Sequence, residues 1–277
     1  MIVSRAADVW TAELELGYDS DGARTVPALR RHLGPLRIQK GLLPEGPAVW
    51  HQIIVHPPGG IAAGDQLSVS VDLAARAHVL ITTPGAGKWY RSSGLPALQK
   101  TRLVVGAGAS LEWLPMENIF FTGAQAKLEY DIELAPDARF ISFDLNCLGR
   151  IAGNQAFERG VIRWATTLHQ ADQVIFSERM HLPAAGVLQR SPAGLAGQPV
   201  FGTLIAYAAA MNDDWVTQVR TLKLPGELAV TRIKHLLIAR WRGPHSDEGL
   251  FALRSIWASL RPEIIGRPVC YPRIWST

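Results

Sequence analysis

Four carboxylates, Asp65, Glu117, Asp144 and Glu178, stand near the ends of strand-like runs, and Thr82 and Thr83 occupy a matching place in an earlier run. Brought together, such groups support two kinds of chemistry. Two carboxyls at a fixed separation can serve as general acid and base. A string of carboxylates, hydroxyls and waters can instead hold a divalent cation loosely and release it, the balance that an ion path needs. The plain alternative is that they are the solvated strand ends of any β-protein. His51 and His56 could add imidazoles, but an odd separation in one strand turns them to opposite faces, so they share a site only if the chain breaks between them. There is no H-E-x-x-H or Cys-x-x-Cys, and Cys147 and Cys270 lie far apart. No stable metal site and no stably bound cofactor is therefore expected, only transient ion contact.

Two glycine-rich stretches could also do chemistry. HPPGGIAAGD at 56–65 cannot be sheet interior, because proline removes a donor and glycine admits positive φ, so it must turn. Asp65 closes it, either as a cap or as a working group. TTPGAGKWYRSS at 82–93 has the look of a phosphate-binding loop but fails its spacing. Thr82 stands where the first glycine is required and Trp89 where a Ser or Thr must follow Lys88, so nucleotide binding is not expected. Lys88, Trp89, Tyr90 and Arg91 are residue types that suit a partner interface, or else Trp89 and Tyr90 cap a sheet.

The elements that must position these groups are mostly strands. VDLAARAHVLI at 71–81, LVVGAGASLEW at 103–113 and IELAPDARFIS at 132–142 superimpose as strand, short turn with an alanine (Ala77, Ala109, Ala138), and strand, at spacings of 32 and 29 residues. No unit of that size buries its own apolar face, so the pattern predicts stacked strand-turn-strand units sharing a seam. The fold class expected is mainly β, a β-helical or two-layer sheet architecture with a few helices, mostly C-terminal, in one domain over 1–277. Stacking would line Thr82, Thr83, Glu117 and Asp144 along one groove. Further strands are expected at 49–55, 97–105, 127–134, 161–168 and 174–181. A helix is expected from Ser246 until Pro262 stops it, and a weaker one over 213–222.

Composition excludes several function classes. The 28 Lys and Arg are scattered, so the net charge of +4 gives no nucleic-acid footprint. No run approaches the ~20 apolar residues of a membrane span, and the first residues lack a signal-peptide core, so a cytoplasmic location is expected. Charged residues make up only 19%, below the usual quarter, which leaves apolar surface for a partner.

Six ordered motifs, HPPGGIAAGDQL (56–67), LITTPGAGKWYRSSG (80–94), LEWLPMENIFFTGA (111–124), CLGRIAG (147–153), SPAGLAG (191–197) and PRIWST (272–277), resemble the UreD (UreH) family of urease accessory proteins. The resemblance implies a non-enzymatic maturation factor with a two-layer helical β fold. It implies binding to urease structural subunits and, with UreF and the GTPase UreG, nickel delivery to the urease active site, with a passage through the protein as a proposed route. On that reading the candidate lining is Asp65, Thr82, Thr83, Glu117, Asp144 and Glu178, with His51 and His56. Candidate partner contacts are Lys88, Trp89, Tyr90 and Arg91, with Ile274 and Trp275 in a tail that either docks on a partner or returns to the core. The sequence departs from the family at Gly153-Asn154, where a Gly-Glu pair is usual, and recovers an acid only at Glu158; Asp144 stands where glutamate is common. Two other readings remain open here: an adaptor that never touches nickel, and a β-scaffold hydrolase using two of the acids.

Overall fold

The computed structural model describes residues 10–92 and 94–276. Each of the three repeat segments runs from one sheet into another. Gln66–Leu73, Ala97–Val105 and Ala124–Leu134 pair in parallel in a front sheet, and His78–Thr82, Ser110–Leu114 and Arg139–Arg150 pair in parallel in a back sheet. The corners stack as well. Ala77, Ala109 and Ala138 are fully buried, each closing a tight turn by donating its N–H to the carbonyl three residues earlier. Gly106 and Ala135 donate across to the preceding corners at Leu73 and Val105. The alanine is small because the next corner lies directly against it; the expected repeat is the fold's organising unit.

The front sheet has seven strands among the described residues, a parallel ladder closed at both ends by antiparallel hairpins, Thr11–Ser20 with Thr25–Leu33 and Gly160–Gln170 with Gln173–Pro183. Its strands alternate, as in Gln66–Leu73, because one face meets solvent. In the back sheet, His78–Thr82 and Ser110–Leu114 are buried at every position. One face of that sheet packs on the front sheet. The other is covered by Asp213–Arg220 and the long helix Ser246–Ile265, so two apolar cores lie on either side of one sheet. VLIT and LEWL read as unbroken runs for this reason.

Asp213–Arg220 starts at Asn212, whose side chain accepts the N–H groups of Asp214 and Trp215 at 3.0 and 3.2 Å. The long helix corrects one expectation: Pro262 does not stop it. Proline removes a single donor there, while Ile264 and Ile265 gain burial in the next turn, and Gly266 at φ 72° ends the helix with its N–H on the Pro262 carbonyl. Among the described residues no helix is long and apolar enough to cross a membrane.

Candidate functional site: a line of cavities between the sheets

HPPGGIAAGD folds as two consecutive turns. The first closes with Gly59 N–H on the His56 carbonyl, with Gly59 at φ 75°. Asp65 closes the second: its Oδ2 accepts the Ala62 N–H at 2.7 Å, and its own N–H returns to the Ala62 carbonyl. The carboxylate is a cap. Between the turns, Ile61 bridges to the segment 82–92, donating to Lys88 O and accepting from Tyr90 N–H. Gly60 lies so close to the Tyr90 ring that a Cβ would stand 2.0 Å from it. The two glycine-rich motifs are thus one structure, and Gly87–Trp89 enters a short parallel strand beside Asn118–Phe120 rather than the helix that a phosphate loop requires.

Behind these turns lies a cavity of about 200 Å3, walled by His56, Thr83, Lys88, Trp113 and Tyr130 among others. Trp113 and Tyr130 also wall a second space of about 20 Å3, room for about one water. Asp144, Trp164, Thr166 and Ile205 wall that narrow space together with a third cavity of about 590 Å3, which reaches Glu178, Arg240 and Arg242. The three cavities therefore share walls in series between the two sheets, with Asp144 at the narrowest part. Burial pushes the Asp144 carboxyl up to about 7; the Asn146 amide, which donates to it, and Arg240 pull the other way, while Glu178 adds to the rise. At the wide end Glu178 is held by an ion pair with Arg240. Burial likewise pushes the His56 imidazole down, against the pull of Asp65.

The other candidate residues lie elsewhere. Register sets Ile81, Trp113 and Ser142 side by side, so Thr82 matches Leu114, and Asp144 comes one step later on the opposite face. The single groove expected from stacking does not form, because a one-residue offset reverses a side chain in a strand. Thr82 faces the helix layer, donating to Leu114 O at 2.6 Å and accepting from Trp275 Nε1 at 2.9 Å. Glu117 is half-buried on that side with no hydrogen bond to Oε2; its charge faces Arg254 and, with burial, raises the Cys147 thiol to about 12. His51 also faces the helix layer, with Nε2 on Glu45 Oε1 at 2.7 Å, so it shares no site with His56.

Among the partner-contact candidates, Trp89 is buried, stacked on Phe120 at 5.6 Å and donating to Asn118 Oδ1, whereas Lys88, Tyr90 and Arg91 are exposed, and of these Lys88 lines the first cavity. Trp275 returns to the core within the single turn Arg273–Ser276, which also carries Ile274, and its ring packs with Trp257, Phe143 and the Arg254 guanidinium. Glu158 is exposed, its N–H on Thr122 Oγ1. In CLGR, Gly149 at φ 97° lies where a Cβ would come within 2.1 Å of the Gln155 carbonyl, so that motif marks the close antiparallel return of Gln155–Ala156.

Sequence reasoning missed a densely bonded polar group. Glu112 is fully buried, receives Arg261 through both oxygens at 2.9 and 3.0 Å and Trp257 Nε1 at 2.7 Å, and touches His78 Nε2 at 3.0 Å. Burial alone would raise it, but these partners hold it down to about 2. The signal was present: a glutamate inside an otherwise apolar run, LEWL, must find a cation.

The family model of the UreD urease accessory protein matches residues 11–276. Curated relatives include the urease accessory protein UreD of Azoarcus sp. (strain BH72), 43% identical with 97% of this chain and 94% of the relative covered. Those of Nitrosococcus oceani and Pseudomonas aeruginosa are each 44% identical, covering 97% of this chain and 90% and 95% of the relatives.

Proposed function

This chain belongs to the UreD urease accessory protein family, with a role in urease maturation, and from that premise we propose a non-catalytic factor that carries Ni2+ as cargo through the cavities between its sheets. The partners on this reading are the urease subunits, UreF and, through UreF, the GTPase UreG. The observation that carries it is the series of three cavities with Asp144 at the narrow point. A carboxyl near pKa 7 is about half ionised at neutral pH, so it attracts a cation without presenting a permanent buried charge. The ionisable ligands in the lining are carboxylates and imidazoles, with no cysteine among the lining residues, and these hold nickel less tightly than thiolate, which suits release. Lys88, exposed where it lines the first cavity, with Tyr90 and Arg91 exposed beside it in sequence, gives a partner a place to dock with the path continuing into it.

The test is reconstitution. The chain is co-purified with its host's UreF, UreG and urease subunits, and urease activity is followed after nickel and GTP are supplied. Asp144→Ala is expected to slow activation at least tenfold while the complex keeps its stoichiometry. Unchanged activation would identify an adaptor that never contacts the ion, and loss of the complex would assign Asp144 to folding or assembly.

A further inference from the structure

On the far face of the back sheet, away from the cavities, the carboxylate of Glu45, the imidazole of His51 and the thiol of Cys270 converge, with one ligand atom from each all within 4.8 Å of one another. They come from three separate places: the loop before Trp50–Val55, that strand itself, and the chain after the long helix. Such a meeting is made by the tertiary fold.

We propose that Glu45, His51 and Cys270 form a binding site for a borderline divalent transition-metal ion of the Zn2+ or Ni2+ kind, separate from the line of cavities and independent of whether those cavities conduct. One oxygen, one imidazole nitrogen and one sulfur are the donors that zinc-like ions prefer and that Mg2+ and Ca2+ do not. The charges match. Arg261 is one positive charge shared between Glu112 and Glu45, so those two carboxylates and a Cys270 thiolate leave a net two negative charges for a divalent ion. Binding releases the thiol proton to solvent, and His51 binds as the neutral ring.

Arg261 also orients the set. Its Nη2 donates to Glu45 Oε1 at 2.7 Å and its Nη1 to the carbonyl of Pro268, two residues before Cys270, so one guanidinium fixes two of the three ligands from behind. The adjustment needed is small. With bonds of about 2.0–2.3 Å, ligand atoms of a tetrahedral site stand roughly 3.3–3.8 Å apart. The Glu45–His51 contact at 2.7 Å must open and the thiol must close in, each by about an ångström or less by that geometry. The Glu45 and His51 side chains are 8% and 4% exposed, while Cys270 is partly open, so the fourth position faces solvent on the cysteine side.

The experiment uses the full chain, reduced and stripped with a chelator. Titration with Co2+ is expected to bind one equivalent with a thiolate-to-cobalt absorption band, absent from Cys270→Ser. Zn2+ is expected to slow alkylation of Cys270 at least tenfold and Mg2+ to leave it unchanged; Cys147, being buried, does not interfere. His51→Gln is expected to weaken binding at least tenfold with metal-free melting like the parent's. If His51→Gln does not fold, the Cys270→Ser spectrum and the alkylation rates decide. The proposal is overturned by absence of a bound equivalent, by cobalt binding that survives Cys270→Ser unchanged, or by alkylation indifferent to zinc.

Discussion

Glu112 and Asp144 sit on adjacent strands of one sheet and face opposite ways, and their acidities diverge to about 2 and about 7. Burial pushes both upward, so burial does not explain the difference. Partners do. Glu112 meets a guanidinium, an indole N–H and an imidazole, with every acceptor site taken. Asp144 has the Asn146 amide, and the charge of Arg240 beyond it is already engaged by Glu178. The face toward the helix is built to hold a charge, and the face toward the cavities leaves one unsettled. A fold can place its stabilising ion network and its working carboxyl on the same sheet because alternation sends neighbouring residues into different environments.

The largest effect expected from this contrast is at Arg261. Removing it with Arg261→Met strands two carboxylates, Glu112 and Glu45, and is expected to destabilise the chain by about 3–5 kcal/mol in urea unfolding. Adding Glu112→Gln to that variant should recover more than about 1 kcal/mol, since the stranded charge, more than the lost packing, is the main penalty. A cost below about 1 kcal/mol for Arg261→Met would show that the two faces do not differ as argued.

Smaller and opposite in sign is the pH response of the two acids. Glu112 has its folded value below the ordinary 4.5, so its stabilisation is present above that pH and is lost as pH falls toward about 2. Asp144 has its folded value above 3.8, so the folded state holds its proton longer than the unfolded chain, and stability from this group erodes as pH rises from about 4 through about 7. The shift represents roughly 4 kcal/mol, and because Asp144 is only half-buried beside the cavities, where solvent screens it, about half of that is expected in practice: Asp144→Asn gains about 2 kcal/mol over the parent at pH 8 and matches it at pH 4, measured by urea unfolding at both. Equal behaviour at the two pH values would mean that Asp144 is ionised in an ordinary way.

The layered β fold was legible because its period is written in the alanine corners, and small residues at Ala77, Ala109 and Ala138 have a direct steric reason. The site was legible only in part. Asp144 and Glu178 do line one cavity, but Asp65 and Thr82 are turned elsewhere by a turn and by a one-residue offset that spacing alone does not reveal. Glu45, His51 and Cys270 were invisible as a group, since ligands from three distant segments leave no motif. Pro262 misled because the burial gained after a proline cannot be read from the proline itself.

The smallest effect sharpens what a charge adds on the helix-facing side. Thr82, on that same face, carries a neutral bond from Trp275 Nε1 at 2.9 Å, in a ring cluster with Trp257 and Arg254. Trp275→Phe keeps an aromatic ring against Arg254 and removes the donor, leaving the Thr82 hydroxyl still bonded to Leu114 O. Its expected cost is about 1 kcal/mol by thermal or urea unfolding, several times less than that of Arg261→Met, because an unmet hydroxyl lone pair is far cheaper than an unmet buried carboxylate. A cycle with Thr82→Val isolates the pair, with a coupling of about 0.5–1.5 kcal/mol expected. Coupling as large as that of Glu112 with Arg261 would show that tight packing of the C-terminal turn, rather than ionic partnership, gives this face its strength.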